Sequence, residues 1–123
     1  VCRMLNPGAA SASVQGVFHP SYRLLQADAA ALLGLNGLTV IKGGGGEFER
    51  HPSKEIAAFG LRQGRSWEAT FPALCDETRR LSSDTARTWA HQTPTAFEAE
   101  IITGTKALAL DTLGIPDTAE QAA

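Results

Sequence analysis

Read for the alternation of apolar and polar positions, the chain opens its regular structure at residues 13–18. Val14, Val17 and Phe18 there surround Gly16 in a run too short for a helix, which reads as a buried strand. Asn6-Pro7-Gly8 before it is a turn signal. His19-Pro20-Ser21 after it is another break, and Pro20 suits a helix start because it has no N–H to leave unsatisfied. From there the spacing changes to threes and fours. Tyr22, Leu25, Ala29, Leu32 and Leu33 fall on one stripe, with Arg23, Gln26 and Asp28 mostly off it, so a helix with that stripe toward the core is predicted. Gly34 supplies its C-cap, Asn36-Gly37 a turn, and the β-branched run 38–42 a second strand. Strand, helix and strand with short connections predict a βαβ unit, hence a parallel pair with a right-handed crossover.

Beyond the glycines at 43–46, residues 54–71 read as two extended segments around Gln63-Gly64, an antiparallel hairpin. Residues 72–81 read as a short helix with Phe71 and Leu74 as its apolar contacts. Ser82, Ser83 and Asp84 offer caps for another over 85–90. After Thr93-Pro94, a long helix is predicted from the stripe of Phe97, Ile101, Thr105, Leu108 and Thr112. Gly104 in its middle costs about 1 kcal/mol relative to Ala, which asks for a close packing neighbour. Gly114-Ile115-Pro116 ends it. The expected fold is α/β, a partial and mainly parallel sheet with flanking helices over residues 1–115, followed by a tail at 116–123.

Composition changes this picture little. The 123 residues are 43% hydrophobic and 20% charged with a formal net charge of −2, which speaks against a basic nucleic-acid footprint over the whole chain but leaves room for a local patch. No apolar run approaches the roughly 20 residues that span a bilayer, and the first residues lack the order of a signal peptide. Cys2 and Cys75 form no Cys-x-x-Cys pair and read as reduced thiols of a cytoplasmic protein. The opening Val1-Cys2-Arg3-Met4 reads like the interior of a domain, so a fragment of a larger α/β domain is expected. Such a fragment exposes apolar surface, and self-association, as a homodimer or otherwise, is expected with it.

The candidate chemistry sits at the glycine run, at the carboxyl end of the second strand, where ligands collect in open α/β sheets. The N–H groups of Gly43, Gly44 and Gly45 can form an anion nest, with Lys42 adding charge. There is no Gly-Lys-Ser/Thr ending, and the segment runs into Pro52 rather than opening a helix, so no helix dipole is aimed at a ligand. A ligand-contacting loop and a slack surface connection both fit these residues. Glu47 and Glu49 flank Phe48; in an extended segment they project to one side about 7 Å apart. Such a pair can hold Mg²⁺ together with water and phosphate, or can simply be solvated. Arg50, His51 and Lys54 make the far side basic, and Arg50 is a candidate substrate contact. His19 reads as a turn or capping residue, Trp67 and Trp89 as packing residues, and His91 has no partner at useful spacing. Ser66, Ser82 and Ser83 lack a nucleophile context, and no catalytic side chain is assigned.

The stretch LNPGAASASVQGVFHPSYRLLQADAAALLGLNGLTVIKGGGGEFE resembles the later half of the anthranilate phosphoribosyltransferase family, glycosyl transferase family 3. The segment EAEIITGTKALALDTLG is similar to that family's last long helix, so the resemblance spans residues 6–114. It implies an α/β domain packed on an N-terminal helical domain. It also implies a parent that displaces pyrophosphate from phosphoribosyl pyrophosphate, with Mg²⁺ on the phosphates, as an aromatic amine attacks the anomeric carbon in tryptophan biosynthesis. Positioning and charge neutralisation carry such a reaction. The family's Gly-Thr-Gly-Gly loop, Asn-x-Ser/Thr segment and Lys-His-Gly stretch are absent, so these 123 residues alone are expected to be inactive. The family's Asp-Glu metal pair falls at Phe48-Glu49: Glu49 matches the second acid, Phe48 replaces the first, and Glu47 substitutes only with a shifted backbone. The run GGGGEFERHP is similar to a divergent branch with nucleic-acid-binding members. The alternative is therefore a non-catalytic binder of single-stranded nucleic acid through Lys42, Arg50, Lys54, Arg62 and Arg65, and a third reading is a domain retained for oligomerisation.

Overall fold

The computed structural model describes residues 4–76 and 93–115. Along the chain these form β1 (Ala12–Val17), α1 (Tyr22–Leu32), β2 (Gly37–Lys42), β3 (Ile56–Arg62), β4 (Arg65–Phe71) and α2 (Ala96–Thr112). The strands make one sheet in the order β1-β2-β3-β4. β1 and β2 run parallel, from Ala12 opposite Gly37 to Val17 opposite Lys42, so the βαβ unit forms as its spacing predicts.

The expected mainly parallel sheet does not form among the described residues. β2–β3 and β3–β4 are both antiparallel. A parallel return needs a crossover, usually a helix, to carry the chain back across the sheet. Residues 43–55 contain no helix, so β3 starts at the end of the sheet where β2 stopped. The hairpin at Gln63-Gly64 closes in two residues with φ of +52° and +75°, the paired positive values of a type I′ turn.

Side chains alternate along β2, and that alternation divides the core in two. Leu38 and Val40 pack with Val17, Ala30 and Leu61 on the face covered by α1. Ile41 packs on the other face with Ile56, Ala58, Phe71 and Leu108 under α2.

α1 is rotated from the predicted orientation. Ala27 and Ala30 are its buried residues, whereas Tyr22, Leu25 and Leu33 are exposed and Leu32 is 90% exposed. Two contacts account for the rotation. The Arg23 Nη1 donates to the Ala57 carbonyl at 3.1 Å, and its guanidinium lies 4.7 Å from the centroid of the Phe59 ring. Ala27 and Ala30 then let the helix axis approach the sheet more closely than leucines would. Gly34, with φ of +75°, closes the helix as expected.

α2 buries Phe97, Leu108 and Thr112 from the predicted stripe, together with Gly104 and Ala107. Its start is a capping box that the sequence reading passed over: Glu98 N–H donates to Thr95 Oγ1 at 3.2 Å, and Thr95 N–H donates to Glu98 Oε2 at 2.8 Å. A Cβ on Gly104 would stand 2.7 Å from Leu74 Cδ1 and 3.2 Å from Arg50 Cδ, the close neighbour its mid-helix position called for. Thr39 and Thr112 hydroxyls meet at 2.7 Å and join α2 to the central strands.

Residues 72–76 are not helical, which removes the first half of the helix expected over 72–81. The rest of that helix, the one expected over 85–90, Trp89, His91, Cys2 and the tail lie outside the described residues. Cys75 is a free thiol. Among the described residues no helix is long and apolar enough to cross a membrane.

Candidate functional site

Gly43 N–H donates to the Val17 carbonyl at 3.0 Å, extending the parallel ladder one step past β2. The chain then turns through Gly46, at φ of +88°, and folds back over the end of β1. A Cβ on Gly16 would lie 2.0 Å from the Glu47 carbonyl oxygen, and a Cβ on Gly43 would lie 2.3 Å from the same atom. Two backbones meet here with no room for a side chain between them. The loop is therefore seated on β1: Gly16 and Gly43 are required by packing, and Gly46 by its positive φ.

Seating the loop brings the Glu47 carboxylate back onto the glycines. Oε1 accepts from Gly44 N–H at 2.7 Å, and Oε2 accepts from Gly45 N–H at 2.6 Å. These are lengths of charge-assisted hydrogen bonds. Of the three N–H groups expected to form an anion nest, those of Gly44 and Gly45 converge on an anion from their own loop, while that of Gly43 is taken by the Val17 carbonyl. Partial burial pushes the Glu47 pKa up, but the N–H groups of Glu47, Gly45 and Gly44, with the charge of Lys42, outweigh it. The net position is below the ordinary carboxylate value.

Glu49 is placed differently. Residues 47–49 are not a strand, so the two carboxylates do not take the paired extended geometry. Glu49 is half-buried and its Oε2 is buried without a hydrogen-bond partner. A hard cation satisfies such an oxygen, and Mg²⁺ commonly takes one or two carboxylates with water and phosphate completing its shell. Glu49 fits that role. Glu47 already accepts an N–H at each oxygen, so it fits only after leaving the glycines. Among the described residues no group of three or more His, Cys, Asp and Glu gathers to form an all-protein cage.

Arg50 points inward. It is fully buried, its backbone N–H donates to Thr105 Oγ1 at 2.9 Å, and its Nη2 donates to the Pro72 carbonyl at 2.5 Å. Its guanidinium lies 5.4 Å from the Phe71 ring centroid, and burial pulls its pKa down. Lys42, Gly43, Gly44, Gly45 and Glu47 are thus brought together, while Arg50 fastens the loop's far end to α2 and to the chain beyond β4.

Arg62 is likewise a structural residue. It donates to the Leu38 and Leu61 carbonyls and to Thr39 Oγ1, pairs with Asp111 at 3.0 Å, and lies 3.7 Å above the Trp67 ring. Lys42, Lys54 and Arg65 remain exposed. His19 serves the turn into α1: its carbonyl accepts from Tyr22 N–H at 3.0 Å, and its ring stands edge-on to Phe18 and Tyr22. His51 Nδ1 lies 3.1 Å from Ser53 Oγ.

Beside the seated loop, Ser13, Val14, Gln15, Gly16, Gly46 and Phe48 line an open cleft of about 330 Å³. Phe48 is half exposed there. Two features of this site escaped the sequence reading. The inward role of Glu47 had a readable signal, an acid three residues after Gly44 in a run free of side chains. The cleft had none, because Gly16 and Gly46 meet only after the loop folds over β1. No protein-family model matches the chain, and no curated protein matches it in sequence.

Proposed function

We propose that the chain supplies one wall of a phosphoribosyltransferase site of the glycosyl transferase family 3 type, in a parent that moves phosphoribosyl from phosphoribosyl pyrophosphate to the nitrogen of an aromatic amine. The observation that carries this reading is the nest at the carboxyl end of the parallel pair. The N–H groups of Gly44 and Gly45 converge on paired anionic oxygens, with Lys42 at the adjoining strand end. The resemblance over residues 6–114 supports it independently.

In this reading the loop binds phosphate oxygens through its main chain and Lys42 neutralises charge beside it. Glu49, whose Oε2 is buried without a partner, would hold Mg²⁺. When bound, that ion supplies charge neutralisation on the diphosphate. The chain's own groups orient the ligand, and the barrier falls through positioning and preorganised dipoles rather than through a covalent step. The half-exposed Phe48, standing where the family has an acid, leaves the metal with one carboxylate from this segment.

The test is a titration of the chain with phosphoribosyl pyrophosphate and Mg²⁺, followed by amide NMR. Gly44 and Gly45 are expected to shift, and Glu49→Gln is expected to remove the Mg²⁺ dependence. Unmoved glycine amides at millimolar ligand would overturn the reading. The isolated chain should release no pyrophosphate with anthranilate present, since the family's pyrophosphate loop is not in it.

Of the five cations named for the nucleic-acid reading, Lys42, Lys54 and Arg65 are exposed, while Arg50 is buried and Arg62 is engaged. Three phosphate contacts to a single strand predict a slope of about −2 in log affinity against log salt. A flat salt dependence sinks that alternative.

A further inference from the structure

The glycine turn contains its own ligand, and that has a consequence for any other. The Glu47 backbone is fixed by its contacts with Gly16 and Gly43, independently of where its side chain points. Its side chain reaches the nest through freely rotating single bonds, so the carboxylate can leave while the loop stays seated. Gly44 and Gly45 are exposed, which gives an entry path from solvent.

Among the described residues, that carboxylate is what lies against the open side of both glycines. A Cβ on Gly44 would meet, among the described residues, Glu47 Oε1 at 3.6 Å, and a Cβ on Gly45 would meet Glu47 Oε2 at 3.3 Å. With the side chain swung out, the converging N–H groups of these two exposed glycines would lose their acceptor, near the exposed Lys42. A phosphate group presents the same pair of anionic oxygens as a carboxylate, with more charge for Lys42 and the N–H dipoles to act on.

We propose that Gly44 and Gly45 form a phosphate-binding site that the Glu47 carboxylate occupies as an internal competitor, so that phosphate binds by displacing it. This rests on the reading of the loop as a wall of a phosphate-bearing substrate site, and adds that the wall is self-closed until the ligand arrives. Ligand affinity is then lowered by the fraction of molecules whose nest is open. If the open form is about one molecule in ten, removing the competitor tightens binding about tenfold.

The experiment is a titration of the full chain with inorganic phosphate, read at the Gly44 and Gly45 amides, for the native protein, Glu47→Ala and Glu47→Gln. Acetate at matched ionic strength is the comparison. The Gly43 amide, bonded to the Val17 carbonyl, reports whether the loop remains seated. Glu47→Gln keeps the side chain's shape and covers the case in which Glu47→Ala loosens the turn. The expected result is about tenfold tighter phosphate binding in Glu47→Ala, an intermediate gain in Glu47→Gln, and weaker binding of acetate throughout. Equal phosphate affinity in all three proteins, with the glycine amides shifting, overturns displacement and leaves the loop as a phosphate site. Acetate binding as tightly as phosphate overturns the phosphate assignment. Glycine amides that move in none of the proteins overturn the inference, while the Glu49→Gln titration with phosphoribosyl pyrophosphate and Mg²⁺ judges the proposed function separately.

Discussion

Gly16→Ala is a small change at the point where the loop rests on the sheet. The new Cβ would lie 2.0 Å from the Glu47 carbonyl oxygen, 2.3 Å from its carbon and 2.6 Å from the Gly46 oxygen. Ordinary contact begins near 3.4 Å, so the loop backbone has to retreat by about 1.4 Å, the difference of 3.4 and 2.0. All three atoms are main chain, and no rotamer change relieves the clash. β1 is equally confined, since it is paired to β2 along its whole length. Overpacking of this kind costs about 1–3 kcal/mol. In a domain of this size that is a fall in Tm of about 4 °C or more. Urea unfolding gives the free energy, and amide NMR gives the position of the loop. The Gly44 and Gly45 amides are expected to move because their partner Glu47 moves with its backbone. Gly8→Ala is the control, for a Cβ there meets nothing within 4 Å. A Gly16→Ala protein within about 0.5 kcal/mol of native, with unchanged glycine amides, would refute the seated loop.

Three further outcomes follow from named contacts. Leu32→Glu should change stability by less than about 0.5 kcal/mol, because Leu32 is 90% exposed; Ala30→Leu, at a fully buried position, should cost about 1–3 kcal/mol. The reverse order of the two effects in urea unfolding would place the leucine stripe in the core. Thr95→Ala removes half of the capping box and should cost about 0.5–2 kcal/mol, with the loss of protection from hydrogen exchange concentrated in the first turn of α2. Glu47 has a pKa below its unfolded value, so its contribution to stability is present above the usual carboxylate range and is lost as pH falls through the folded value. The stability difference between the native protein and Glu47→Gln should therefore shrink as pH is lowered in acid titrations of unfolding, and a difference that grows there would reverse the sign of the argument.

Local pattern determined the elements that depend on neighbours in sequence. The switch from a short apolar run to spacings of three and four marked β1 and α1, and Gly34 marked the end of that helix. Gln63-Gly64 marked the hairpin because a two-residue turn with two positive φ values favours a glycine. The glycine run was legible as a place where main-chain N–H groups can meet an anion, though a slack connection fitted the same residues. Tertiary structure decided what pattern leaves open. α1 had two apolar faces, one of leucines and one of alanines. Close approach to the sheet and the hold of Arg23 on Ala57 chose the alanines. Arg50 reads from sequence as a free cation in a basic loop, and becomes a buried tie because α2 passes over it at Gly104. The sheet turned antiparallel after β2 because no helix follows the glycines. Glu47 and Glu49, alike in sequence, were separated by the fold of the loop over Gly16: one carboxylate was turned into the nest, and the other kept a buried oxygen with no partner. Spacing along a chain sets which residues are near one another in a helix or a strand, but only packing against a second segment settles which way a side chain in a loop must point.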